Sequence, residues 1–140
     1  MSRIAVVYWS GTGNTEVMAN AVFDGVTEKG AECALLTASE FDSSKVADYD
    51  AIAFGCPSMG EEVLEEDEFE PMFTSCLPEL KGKNIALFGS YGWGDGEWMR
   101  NWEETCKTAG TNLVCDYVIC SGTPEDDAIN DCKALGAALV

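Results

Sequence analysis

Short, continuous apolar runs alternate along this chain with stretches in which apolar residues recur every three or four positions. The runs are Arg3–Tyr8, Glu32–Thr37, Asp50–Cys56, Asn84–Ser90 and Asn112–Cys120, and each reads as a strand. Continuous rather than alternating hydrophobicity is what a strand buried on both faces requires. Between them, Val17, Met18, Ala21, Val22, Gly25 and Val26 share one face of a helix over Asn14–Lys29, closed by Gly30. Further helices are expected over Ser43–Tyr49 (short), Asp67–Leu77, Glu97–Ala109 and Asp126 to the terminus. Strand and helix thus alternate five times. The pattern predicts an α/β fold: one doubly wound, five-stranded parallel sheet with helices on both faces and right-handed crossovers. No linker, repeat or low-complexity segment interrupts it, so residues 1–140 are expected to form one domain.

In such a sheet, ligands bind where the C-terminal strand ends meet their loops. Three of those loops carry chemistry. The first, Tyr8-Trp9-Ser10-Gly11-Thr12-Gly13-Asn14-Thr15-Glu16, is a strand-to-helix turn rich in hydroxyls and glycines. Its backbone N–H groups, with the positive end of the helix that follows, suit a phosphate, although such a turn equally serves as a plain connection. It is not a P-loop, because Asn14 follows Gly13 where lysine is needed. It is not a dinucleotide fingerprint either, because Glu16 stands at the third glycine. The second loop is Pro57-Ser58-Met59-Gly60-Glu61-Glu62 and the third is Tyr91-Gly92-Trp93-Gly94-Asp95-Gly96. Trp93, between two glycines, either folds into the core or offers a flat face to a planar ligand, with the soft sulfur of Met59 on the opposite face.

Charge narrows the partners. Twenty-five acids against eight bases give a net charge of −17, which argues against nucleic acid and anionic membranes and favours proteins with basic docking surfaces. The chain enters its first strand at Arg3 without a signal peptide, and no apolar run approaches membrane-spanning length. Seven cysteines without C-x-x-C spacing, and no histidine, make zinc and iron–sulfur sites weak readings and suggest a reducing cytoplasm. A cysteine phosphatase is disfavoured because no arginine accompanies Cys56. A response-regulator receiver is disfavoured because Trp9-Ser10 and Cys56-Pro57 stand where acids are needed.

Tyr8 through Glu16, Gly55-Cys56-Pro57 with Met59-Gly60, and Leu87 through Gly94 together resemble the flavodoxins, of the short-chain kind found in anaerobic bacteria. The resemblance runs over nearly the whole chain, and strand five lacks the insertion of the long-chain kind. It implies the strand order 2-1-3-4-5 with FMN at the switch point. It also implies that Ser10, Thr12, Asn14 and Thr15, with the backbone of Gly11 and Gly13, hold the FMN phosphate. Met59 and Trp93 would flank the isoalloxazine, and Trp9 would cover the ribityl side. Glu62 would accept from the ring N3–H. Ser58, Gly60 and Glu61 belong to the second flavin loop, and Ser90, Tyr91 and Gly92 to the third. Where relatives often carry Asn or Glu before the proline matching Pro124, this chain has Ser121-Gly122-Thr123. The implied role is a monomeric, low-potential one-electron carrier that replaces ferredoxin between partners such as pyruvate oxidoreductase, hydrogenase and pyridine-nucleotide reductases.

The residues add a mechanism to that role. With no Lys or Arg in the first loop, the phosphate leaves the flavin in a net negative setting, which disfavours an anionic hydroquinone and lowers the semiquinone/hydroquinone couple. In Met59-Gly60-Glu61-Glu62, glycine at the second position favours a type II′ turn, which by resemblance aims the Gly60 carbonyl at N5–H of the neutral semiquinone. The acidic run Glu61–Glu70, a solvated face in many proteins, joins Glu16, Asp95, Glu97, Glu125, Asp126 and Asp127 at the binding edge. Arg3, Lys29, Lys81 and Lys83 fall at the opposite edge. The alternative is a two-electron FMN oxidoreductase such as a small quinone reductase, for which the chain has no extra segment to form a substrate pocket.

Overall fold

The structure, a computed structural model, describes residues 2–60, 62–92 and 94–140. Strands β1 (Arg3–Tyr8), β2 (Glu32–Thr37), β3 (Ala51–Gly55) and β4 (Asn84–Tyr91) lie parallel in the order β2-β1-β3-β4. Helices α1 (Asn14–Glu28), α2 (Phe69–Cys76), α3 (Glu97–Thr108) and α4 (Asp126–Ala138) cover the two faces. Two 3₁₀ turns, Ala38–Glu40 and Ser43–Asp48, take the place of a helix between β2 and β3.

Residue alternation decides which face each side chain joins. From β1, Ala5 and Val7 enter a core with Phe54 and Leu87 under α2 and α3, where Phe69, Phe73, Trp98 and Trp102 supply the bulk. Ile4, Val6 and Tyr8 enter the opposite core under α1 and α4, with the small Ala51, Ala53 and Ala86 and with Met18, Val22 and Leu135. Both faces are buried, so the strands read as unbroken apolar runs. The α1–α4 contact is made backbone to backbone. A Cβ at Gly25 would lie 2.1 Å from the Lys133 carbonyl oxygen, and one at Gly136 would lie 2.2 Å from that of Val22.

The edge strand departs from the expected continuous Asn112–Cys120. It is split into β5 (Asn112–Leu113) and β6 (Val118–Ser121), both paired with β4. Leu113 lies opposite Ile85 and Val118 opposite Phe88, so four residues on the edge, 114–117, face two on β4. The bulge keeps the exposed Asp116 carboxylate in water within an otherwise apolar run. The order around the split strand remains 2-1-3-4-5, with β6 as its continuation.

Register aligns the site. Tyr8 pairs with Gly55, Gly55 with Phe88, and Phe88 with Val118, so β1, β3, β4 and β6 release their loops side by side. The chain order reverses between β1 and β3. The loops after these two strands therefore open a crevice between them.

Candidate functional site

The first loop is shaped from within. Gly13 takes φ +100 as the N-cap of α1, a left-handed conformation that glycine adopts without steric cost. Ser10 Oγ accepts the N–H groups of Gly13 at 3.1 Å and Glu16 at 3.3 Å, which curls the turn around that hydroxyl. The N–H groups of Gly11, Thr12, Asn14 and Thr15 meet no acceptor among the described residues. Four free amides at the positive end of a helix form an anion cradle without a cation. The Trp9 ring folds over Gly11, where a Cβ would sit 3.0 Å from it.

Thr15 is placed differently from the other hydroxyls. It is buried, and its Oγ1 shares a 2.8 Å hydrogen bond with Ser90 Oγ, also buried. These two side chains tie the first turn of α1 to the end of β4.

The second loop is closed at Val63, one residue later than a four-residue turn would close. Met59 N–H donates to Val63 O at 2.8 Å and Val63 N–H to Met59 O at 3.0 Å. Gly60 has φ +52, the positive φ expected of it, but Glu62 also lies in the left-handed region at φ +57. The loop thus closes one residue wider than the expected type II′ turn over Met59–Glu62, whose third residue, Glu61, lies outside the described residues. Glu62 does not simply face the crevice. Its Oε1 accepts the N–H groups of Gly96 at 3.2 Å and Glu97 at 3.1 Å, the N-terminus of α3. One carboxylate oxygen thus stitches the second loop to the third, and Oε2 remains free of these bonds. Helix α2 likewise starts at Phe69 rather than Asp67, and its first amides are taken by Glu65, not by Asp67–Glu70.

The third loop is held from both sides. Ser58 N–H donates to Ser90 O, and Gly122 N–H donates to Tyr91 O, each at 2.9 Å. Trp9, Gly11, Thr12, Asn14, Ser58, Met59, Ser90, Tyr91 and Gly92 surround one hollow of about 250 Å³ together with Pro57 and Gly122. Ser10 and Gly13 line a second, more polar hollow of about 490 Å³ that shares Trp9, Gly11 and Thr12 with the first. Gly60 and Glu62 stand outside both lining sets, and Glu61 and Trp93 lie outside the described residues. Gly122, in the Ser121-Gly122-Thr123 loop that the sequence left without an assigned role, is a further wall residue. No side-chain chemistry marks it, and only its backbone bond to Tyr91 brings it in. A separate hollow of about 300 Å³ between α2 and α3 is lined by Phe73, Leu77, Trp98 and Trp102, away from the amide cradle.

The surrounding charge is acidic but not uniformly so. Arg100 pairs with Asp95 at 2.9 Å beside the third loop, and this guanidinium holds the Asp95 carboxyl below its usual range. Arg100 therefore breaks the expected separation of bases from the binding edge. The described cysteines are free, and burial pushes Cys33 and Cys76 up to about 11 and Cys106 and Cys132 up to about 12. Such thiols stay neutral near pH 7, the opposite of what nucleophilic chemistry needs. Among the described residues no group of three or more Cys, Asp or Glu is arranged to hold a metal ion, and no helix is long and apolar enough to cross a membrane.

An amide cradle for phosphate beside a hollow walled by Trp9, Tyr91 and Met59 fits a phosphorylated planar cofactor. Comparison with known proteins agrees. The family model described as Flavodoxin matches residues 6–135. The flavodoxins of Megasphaera elsdenii and Clostridium beijerinckii are 42% and 44% identical to it, each over 96% of both chains. The solution structure of two-electron reduced M. elsdenii flavodoxin superposes with a TM-score of 0.90 over 97% of both chains, at 44% identity. A flavodoxin from the domain Archaea, at 27% identity, gives 0.84 over 98% of this chain and 95% of its own. The chain belongs to the flavodoxin family, FMN-binding proteins that carry electrons rather than catalyse a reaction.

Proposed function

We propose that the chain is a low-potential one-electron carrier that works between the semiquinone and hydroquinone levels of FMN, and that its three loops hold the cofactor. The observation that carries this reading is the hollow in which all three loops meet beside four unpartnered amides. In this reading the amides of Gly11, Thr12, Asn14 and Thr15 and the hydroxyls of Ser10 and Thr12 take the phosphate. Hydrogen bonds to a charged group contribute roughly 1.5–3 kcal/mol each, enough for several to outweigh the screened repulsion of an acidic protein. Trp9, Met59 and Tyr91 would wall the ring, Trp93 would flank it opposite Met59 as the resemblance implies, and Glu62 would accept from the ring N3–H. FMN, when bound, would supply the one-electron chemistry.

Glu62 and the acids around it disfavour added negative charge on the ring. Each ~1.4 kcal/mol of that disfavour lowers a one-electron potential by about 59 mV. Gly60, free to take positive φ, lets its peptide present a carbonyl to the ring. The acidic edge would also steer basic partners toward the ring, with pyruvate oxidoreductase, hydrogenase and pyridine-nucleotide reductases as the candidate class. The reading further takes the chain as a single-domain, cytoplasmic monomer. Anaerobic titration with dithionite tests it. A blue neutral semiquinone that accumulates before full reduction supports one-electron carriage, whereas reduction straight to hydroquinone refutes it in favour of a two-electron oxidoreductase.

A further inference from the structure

Glu65 is 5% exposed, yet among the described residues no cation pairs with it. Its Oε2 accepts Asp67 N–H at 2.8 Å, and its Oε1 accepts Glu68 N–H at 2.7 Å and Phe69 N–H at 2.8 Å. Burial raises the pKa of this carboxyl, but the three amides outweigh burial and hold it below its usual range. The Glu65 amide in turn donates to Cys56 Sγ at 3.4 Å. Cys56 is fully buried, donates its own N–H to Phe88 O at 3.2 Å, and accepts Trp98 Nε1–H at 3.3 Å through its carbonyl. Residues 57–64 therefore stand on two feet bonded to each other, one anchored in β4 and α3, the other in α2. Above the feet, Met59 and Val63 exchange two hydrogen bonds. Beyond them, Gly60 is exposed and at positive φ.

Capping α2 does not by itself call for this residue. A short Ser or Asp side chain caps one or two amides from the position next to the helix. Glu65 reaches amides two, three and four residues ahead, and needs both oxygens as acceptors to do so. A buried carboxylate in such a place is costly unless every bond is made. We propose that Glu65 is the positioning residue of the second flavin loop: it clamps the base of residues 57–64, so that conformational freedom is confined to the Gly60 tip. The redox consequence rests on the proposed one-electron function, while the mechanical consequence does not. A clamped base keeps the loop from shifting as a whole, so that the backbone freedom left near the ring is that of Gly60.

The test uses E65Q, E65D and the neighbouring control E66Q in the FMN-loaded protein. Gln keeps one acceptor oxygen but turns an NH₂ toward Asp67 N–H. Asp keeps the charge but falls one methylene short. Glu66 is exposed and makes no side-chain hydrogen bond among the described residues, so E66Q removes an equal charge and no clamp. Backbone amide exchange at Met59 and Val63, measured by NMR on the oxidised protein, should accelerate at least tenfold in E65Q and E65D and stay unchanged in E66Q. The semiquinone formation constant should fall at least tenfold in the same two variants, a narrowing of about 59 mV between the two potentials. Unchanged exchange in E65D and E65Q, or E65Q matching E66Q, overturns the clamp. If E65Q does not fold, E65D decides alone. A wild type that forms no semiquinone overturns the redox consequence and the proposed function together, and amide exchange still judges the clamp.

Discussion

Glu62 carries two roles that can be separated by two substitutions. Its Oε1 accepts the Gly96 and Glu97 amides at the start of α3, and the carboxyl packs where Gly94 leaves no room for a Cβ. Hydrogen bonds to a charged acceptor contribute roughly 1.5–3 kcal/mol each at full strength, but a partly exposed group shares its lone pairs with water. E62A should therefore destabilise the fold by about 1–2 kcal/mol in urea unfolding, or about 3–7 °C in Tm. E62Q keeps an acceptor oxygen and loses only the charge at a helix N-terminus, about 0.3–1 kcal/mol. The redox effect should not follow that order, because both substitutions remove the same negative charge. Removing one negative charge at hydrogen-bond range from the ring is worth about 1–3 kcal/mol at a protein surface. E62Q should then raise the lower potential by about 40–130 mV. Spectroelectrochemical titration of both variants reads this directly. An E62A protein as stable as wild type would refute the stitch between loops, and an unchanged potential in E62Q would refute the electrostatic account of low potential.

Gly60→Ala meets no atom within 4 Å, so its whole effect comes from positive φ: about 1–2 kcal/mol of backbone strain and lower semiquinone accumulation in a dithionite titration, with normal accumulation counting against the Gly60 mechanism. Thr15→Val leaves the buried Ser90 hydroxyl unpaired and should cost about 1–3 kcal/mol in urea unfolding, while adding Ser90→Ala should recover part of the loss. Gly25→Ala drives a Cβ into the Lys133 carbonyl, so it should lower stability by about 1–3 kcal/mol despite the better helix propensity of alanine; thermal unfolding checks the sign.

The sheet was legible because both its faces are buried. Arg3–Tyr8 and Glu32–Thr37 could be bounded to the residue from apolar continuity alone. The edge strand was not, because the exposed Asp116 opens a bulge that an apolar run hides. The three loops were legible from their glycines and hydroxyls together with the family resemblance, and nine of the expected site residues share one hollow. What the sequence did not show was the use of side chains across loops. Thr15 reads as a phosphate ligand, and its hydroxyl also pairs with Ser90, a partner 75 residues away. Glu62 and Glu65 look alike in a run of acids, yet one holds α3 and the other holds α2. Local spacing carries no signal for the partners of Thr15 and Glu62, which are set by the tertiary approach of the loops, and in a run of acids it does not single out the one that caps α2.

The most direct measurement compares FMN with riboflavin on protein stripped of its flavin, by quenching of flavin fluorescence. The two ligands share a ring and differ by the phosphate assigned to the amides of Gly11, Thr12, Asn14 and Thr15. The account predicts tight FMN binding and at least 100-fold weaker binding of riboflavin, the loss of two or more charge-assisted bonds at ~1.4 kcal/mol per tenfold change. Equal affinity for the two, or no uptake of FMN, would contradict it.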